Sequence, residues 1–136
     1  MESMTRPTPL IELLLIEDEE VTKELLSIVL AKKFPDIALH TAANGRMGLE
    51  LYKTYLPDIV ITDINMPEMD GVQMAEKIRS LRPETKIIVI TGRNADLLPQ
   101  DSGKGLKFDH VIVKPVIYQE LFDAIEQCRQ ELALQT

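Results

Sequence analysis

The segment Pro57–Gly71, PDIVITDINMPEMDG, runs from an apolar stretch to a lone carboxylate, Asp63, and then into a turn-like stretch with Pro67, Asp70 and Gly71. A buried, unpaired carboxylate is expensive, so Asp63 must be solvated, paired, metal-bound or put to use. Other apolar runs end in groups of comparable interest. Leu10–Ile16 is followed by the acidic pair Glu17 and Asp18, Lys86–Thr91 closes on a hydroxyl, and His110–Val113 is followed by Lys114 and Pro115. Brought together, the three carboxylates would repel one another and raise their pKa values. A divalent cation relieves that repulsion, and oxygen ligands with room for water suit Mg2+. A carboxylate beside such a cation can attack a phosphoryl group. Phosphoryl transfer asks mainly for positioning and charge neutralisation, which Lys114 and a cation would supply while Thr91 donates a hydrogen bond.

The elements that must position these groups alternate along the chain. Strands are expected at Leu10–Ile16, Ile37–Thr41, Asp58–Thr62, Lys86–Thr91 and His110–Val113. Between them lie amphipathic stretches. Glu17–Phe34 carries Val21, Leu25, Ile28 and Val29 at helical spacing, and Asn44–Tyr55 carries Met47, Leu51 and Tyr55 on one face. Gly71–Leu81 turns Val72, Ala75, Ile78 and Leu81 inward with Asp70 as N-cap. A closing helix over Ile117–Leu134 presents Leu121, Ile125 and Leu132. Between the fourth and fifth strands Pro99, Gly103 and Gly105 oppose a regular helix, leaving room for a short one near Ala95–Leu98. A βα alternation of this kind predicts an α/β fold, a five-stranded parallel sheet with helices on both faces. Its working crevice lies at the carboxyl ends of the strands, where Glu17, Asp18, Asp63, Thr91 and Lys114 would converge.

Composition narrows the function classes. A chain of 136 residues, 45% hydrophobic and 27% charged, fits one domain: residues 10–134, after a loose polar tail over 1–9. A net charge of −7 argues against a nucleic-acid surface, and 4% aromatic residues without Trp argue against base-stacking platforms. One cysteine, Cys128, allows no internal disulfide and fits a reducing compartment such as the cytoplasm. No apolar run approaches the ~20 residues of a membrane span.

The ordered set resembles the receiver domain of two-component response regulators. The matching residues are Glu17-Asp18, Asp63-Ile64-Asn65-Met66-Pro67 with Asp70-Gly71, Thr91-Gly92 and Lys114-Pro115, over roughly Leu10 to Leu132. The resemblance implies a flavodoxin-like (βα)5 fold with strand order 2-1-3-4-5. It implies a signalling switch rather than a turnover enzyme. Asp63, exposed at a strand tip, would be the phosphoacceptor, taking a phosphoryl group from the phosphohistidine of a sensor histidine kinase or phosphotransfer protein in a phosphorelay. Glu17, Asp18, Asp63 and the backbone carbonyl of Asn65 would hold Mg2+. Lys114 would contact the acceptor, Thr91 would move toward the phosphoryl group, and the Lys114–Pro115 bond would be cis. Asn65 and Arg93 would tune dephosphorylation. Partners downstream would be a protein, a covalently linked output domain or a second copy of the chain. No output domain fits after Leu134, so the chain reads as a stand-alone receiver or an excised module.

Two departures stand out. The family usually has Tyr or Phe three residues before the site lysine, and this chain has Val111. The Pro99–Gly105 segment falls where the family has its fourth helix. Two other functions remain open. A constitutive binding module would keep the fold without phosphorylation; the intact acidic set, Thr91 and Lys114 argue against it, and Val111 keeps it in play. An aspartyl-phosphate-forming phosphohydrolase would want an acid two residues after the nucleophile, where Asn65 stands. Taken singly, the site residues have plainer roles: Glu17 and Asp18 as helix caps, Asp63 as a loop acid, Thr91 as a strand end and Lys114 as a solvated charge. His40 and His110 show no metal spacing and read as structural or surface residues, and Cys128 as packing or surface.

Overall fold

The apolar runs become strands and the amphipathic stretches become helices in a computed structural model that describes residues 11–64, 66, 71–92 and 108–134. The order is β1 (Ile11–Ile16), α1 (Glu20–Lys33), β2 (Ile37–Ala42), α2 (Gly45–Tyr55), β3 (Ile59–Asp63), α3 (Gly71–Leu81), β4 (Lys86–Thr91), β5 (His110–Val113) and α4 (Tyr118–Leu134). All pairings are parallel, and the sheet runs β2-β1-β3-β4-β5, the expected order. The short helix expected near Ala95–Leu98, the Pro99–Gly105 segment and the Asp70 cap lie outside the described residues.

Alternation along each strand divides the core in two. Leu13, Leu15, Ile59, Ile61, Ile88, Ile90 and Ile112 pack with Leu26, Leu30 and Phe34 from α1 and its C-cap, and with Leu121, Ile125 and Cys128 of α4. Their neighbours Leu14, Ile16, Val60, Ile87 and Val89 face Tyr52 of α2 and Met74, Ala75 and Ile78 of α3. The apolar runs Leu13–Ile16, Ile59–Ile61 and Ile87–Ile90 follow from this, because a stretch covered on both faces has no position for a solvated side chain.

Three helices turn differently from the spacing. In α1 the buried pair is Leu26 and Leu30, whereas Val21, Leu25 and Ile28 are exposed. The helix carries two apolar stripes, and the Leu26–Leu30–Phe34 stripe takes the sheet. In α2 the inward positions are Gly48 and Tyr52, while Met47 and Tyr55 are exposed. A Cβ at position 48 would stand 2.6 Å from Cδ1 of Ile16, so the Ile16 side chain would have to shift to admit one. Tyr52 is fully buried and its hydroxyl shares a 2.5 Å hydrogen bond with that of Thr85, which removes the cost of burying it. In α3, Met74 joins Ala75 and Ile78 inside, and Leu81 is exposed.

The end of the sheet opposite the carboxyl edge is tied by polar contacts. Asp109 accepts from the Ile87 N–H at 2.7 Å and from Arg79 at 2.9 Å, and Lys86 pairs with Glu131 at 3.0 Å. His40 is structural. It contacts Glu12 at 2.8 Å across β1 and β2 and stacks on Tyr55.

Candidate functional site

Glu17 and Asp18 leave β1 before the first helix begins. They do not cap α1: its N-cap is Glu19, whose carboxylate accepts the Thr22 N–H at 2.9 Å. Those bonds from Thr22 hold the Glu19 carboxyl below its ordinary range. Glu17 is instead buried at 3% exposure, and one of its carboxylate oxygens accepts the Glu19 N–H at 3.0 Å. One short turn thus fixes Glu17 from its backbone side and leaves Asp18 exposed beside it.

Asp63 is the last residue of β3 and lies beside β1 in the sheet, so its carboxylate meets those of Glu17 and Asp18. One carboxylate oxygen from each of the three lies within 4.8 Å of the others. Exposure of Asp63 was the expectation, and the structure corrects it: Asp63 is only 2% exposed. The charge is tolerated because Lys114, just past β5, reaches over the end of β4 and donates from Nζ to Asp63 Oδ2 at 2.6 Å. The Lys114 N–H donates to the Thr91 carbonyl at 2.7 Å, which anchors the lysine backbone, and the following Lys114–Pro115 bond is cis.

The electrostatics follow from this packing. Burial pushes the Glu17 carboxyl up, the charges of Asp63 and Asp18 add to that, and the Glu19 N–H and Lys114 oppose it. For Lys114, burial works against the ammonium. The hydrogen bond to Asp63 and the charges of Asp63, Glu17 and Asp18 outweigh it, and the pKa is raised.

Of the residues singled out from the sequence, the structure brings Glu17, Asp18, Asp63 and Lys114 together. Thr91 is at the same edge, but strand alternation turns its buried side chain to the opposite face. Among the described residues its hydroxyl makes no hydrogen bond to Asp63 or Lys114. Asn65 and Arg93 lie outside the described residues. Val111 is exposed and pairs in register with Val89. A pocket of about 330 Å3 opens beside the cluster, with Glu17, Glu19, Leu25, Lys114, Pro115 and Tyr118 among its lining residues. Glu19, Leu25 and Tyr118 were not singled out as site residues. Leu25 read as core, and nothing local marks Tyr118 as a neighbour of Asp63.

The donor set suits a hard divalent cation. Two oxygens bound about 2.1 Å from a Mg2+ ion are at most roughly 4.2 Å apart. Adjacent oxygens on such an ion stand only about 3 Å apart, so the three carboxylates, whose oxygens lie within 4.8 Å of one another, would draw closer on binding it. All the donors are oxygens, and the exposed side at Asp18 leaves room for water or a phosphate oxygen.

Comparison with known proteins gives a consistent result. A family model described as "Response regulator receiver domain" matches residues 13–126. The chain is 32% identical over 123 residues to the regulatory protein AtoC of Escherichia coli, covering 90% of this chain and 26% of AtoC. It is 32% identical over 114 residues to the chemotaxis protein CheY of Thermotoga maritima, covering 84% of this chain and 93% of CheY. The crystal structure of a response regulator receiver domain protein from Clostridium thermocellum superimposes with a TM-score of 0.82 at 26% identity, covering 93% of this chain and all of that one. The chain thus spans nearly all of one curated relative and about a quarter of another.

Proposed function

Since the chain belongs to the response regulator receiver domain family, whose members are phosphorylation-dependent switches, we propose that Asp63 is its phosphoacceptor and that Glu17, Asp18 and Asp63 hold Mg2+. The observation that carries this reading is the 2.6 Å contact between Lys114 and a buried Asp63 inside a ring of three carboxylates. A carboxylate oxygen of Asp63 attacks the phosphorus of a phosphohistidine. The P–N bond breaks, its electron pair leaves with the imidazole nitrogen, and an acyl phosphate forms on Asp63. Lys114 orients the acceptor beforehand and afterwards neutralises a phosphoryl oxygen. Mg2+, when bound, neutralises the carboxylates and the incoming phosphoryl oxygens. The Asn65 carbonyl is proposed as a further ligand on the resemblance alone.

Phosphorylation then biases a two-state equilibrium, since the new charge rewards whichever arrangement pairs it. Thr91 would respond through its backbone, whose carbonyl accepts the Lys114 N–H, because its side chain faces the other side of the sheet. Val111 cannot supply an aromatic swing, so the response would pass through the β4–β5 backbone. The proposed phosphodonor is a histidine kinase or phosphotransfer protein. It would approach over α1, where the exposed Val21, Leu25 and Ile28 adjoin the site through Leu25, which also lines the pocket. The receiver would serve a partner protein or an output domain on a longer chain.

The test is intact mass after incubation with acetyl phosphate, with and without Mg2+. Gain of one phosphoryl group in the wild type, dependent on Mg2+ and absent in Asp63→Asn, is the expected result. An equal gain in Asp63→Asn would place the acceptor elsewhere. No gain by a folded wild type would favour the constitutive binding module.

A further inference from the structure

Thr62 is a buried polar side chain that the mechanism above does not use. It is fully buried in the last turn of the strand, after three apolar residues and before Asp63. A valine would fill the same space without a hydroxyl to satisfy, and an unsatisfied buried hydroxyl is costly. Here the hydroxyl is satisfied by the acceptor residue itself: Thr62 Oγ1 donates to the Asp63 carbonyl at 3.1 Å, with Met66 Sδ 4.0 Å away. A second element closes in from α3, on the carbonyl one peptide further along and on the space beside the Asp63 carbonyl. The Gly71 N–H donates to the Ile64 carbonyl at 2.9 Å. A Cβ on Gly71 would lie 2.7 Å from the Asp63 carbonyl oxygen and 2.9 Å from Cα of Ile64, both backbone atoms that cannot swing aside.

We infer that Thr62 and Gly71 are positioning residues for the phosphoacceptor, which together fix the Asp63–Ile64 peptide and so aim the Asp63 carboxylate. This rests on the reading of Asp63 as acceptor. The two act from the same side of the sheet, the one covered by α2 and α3. Strand alternation turns Thr62 toward α2 and α3 and Asp63 toward α1 and α4, so the hydroxyl steadies the acceptor without entering the pocket. The Cα–Cβ direction of Asp63 follows from the orientation of its peptide. That direction decides whether Oδ2 meets Lys114 at 2.6 Å and whether the carboxylate stays within reach of Glu17 and Asp18. A misplacement of about 1 Å at a reacting centre can cost on the order of a hundredfold in rate, so a smaller tilt should be measurable.

The experiment is phosphorylation by acetyl phosphate in saturating Mg2+, followed by mass, for wild type, Thr62→Val, Thr62→Ser and Gly71→Ala, with thermal unfolding of each. Thr62→Val should lower the maximal labelling rate about three- to tenfold, leave the half-saturating acetyl phosphate concentration unchanged, and unfold no earlier than wild type. Thr62→Ser, which keeps the hydroxyl, should recover to within about twofold. Gly71→Ala should lose more, and if it fails to fold the threonine pair still decides. Isothermal titration should show Mg2+ binding more weakly to Thr62→Val than to Thr62→Ser. The inference is overturned if Thr62→Val labels as fast as wild type, or if Thr62→Ser is as slow as Thr62→Val. Absence of labelling on wild-type Asp63 would overturn the acceptor reading and this inference with it. Normal wild-type labelling with normal Thr62→Val would overturn this inference alone.

Discussion

Replacing Glu17 by Gln should make the metal-free protein more stable at pH 7 while weakening its hold on Mg2+. Glu17 is 3% exposed and its carboxylate oxygen lies within 4.8 Å of those of Asp18 and Asp63. Two charges at that separation repel by roughly 3 kcal/mol at an effective dielectric of ~20. Lys114, bound to Asp63, cancels part of this, and the amide oxygen of a glutamine keeps the bond from the Glu19 N–H. A net gain of about 1–2 kcal/mol remains, which for a domain of this size is roughly 3–7 °C in Tm. The pH dependence has a definite sign. Burial and neighbouring carboxylates raise the Glu17 pKa on folding above its ordinary 4.5. Its contribution to stability is therefore fully present below that value and is lost as pH rises through the folded pKa. The variant should match wild type in acid and pull ahead as the pH rises past the carboxylate range. Thermal unfolding in EDTA from pH 4 to 8 measures this, and a second series in Mg2+ should narrow or reverse the gap, since binding stabilises wild type more. A variant equal to or less stable than wild type at pH 7 without metal would refute the electrostatic account of the cluster.

Other consequences can be read separately. On α1, Leu26→Ala should cost about 2–4 kcal/mol, whereas Leu25→Asp, one residue away but exposed, should cost less than about 0.5 kcal/mol in urea unfolding. Tyr52→Phe strands the buried Thr85 hydroxyl and should lower stability by about 1 kcal/mol with no change in acetyl phosphate labelling. Cys128 is fully buried, and burial pushes its thiol pKa to about 12, so it should not react with a thiol reagent at pH 8 until the protein is unfolded.

Much of the molecule was legible in the order of its residues. Two-sided burial writes short apolar runs into β1, β3 and β4, so strand positions and a parallel sheet followed from the alternation of such runs with amphipathic stretches. Once the phasing was read, each chemically active group stood just past a strand, and a sheet of this kind gathers such groups at one edge. Helix facing was not legible, because α1 offers two apolar stripes and local periodicity ranks them equally. Which stripe is buried depends on where the sheet lies, and only the tertiary structure placed Leu26 and Leu30 inward and left Val21, Leu25 and Ile28 outside.

The same limit applied at the site. The sequence showed a carboxylate with a reason to exist, but its environment is assembled from groups distant along the chain. Lys114, 51 positions away, makes burial of Asp63 tolerable, so a residue expected at the surface is enclosed. Thr62 looked like a strand residue until its hydroxyl was found on the acceptor's carbonyl, and Gly71 looked like a turn glycine until its missing side chain proved to be the space that carbonyl occupies. Residue types and their phasing set which chemistry is available, because those are local properties of the chain. Distances, burial and charge balance arise between segments that meet only when the sheet forms, and those decided which residues serve that chemistry.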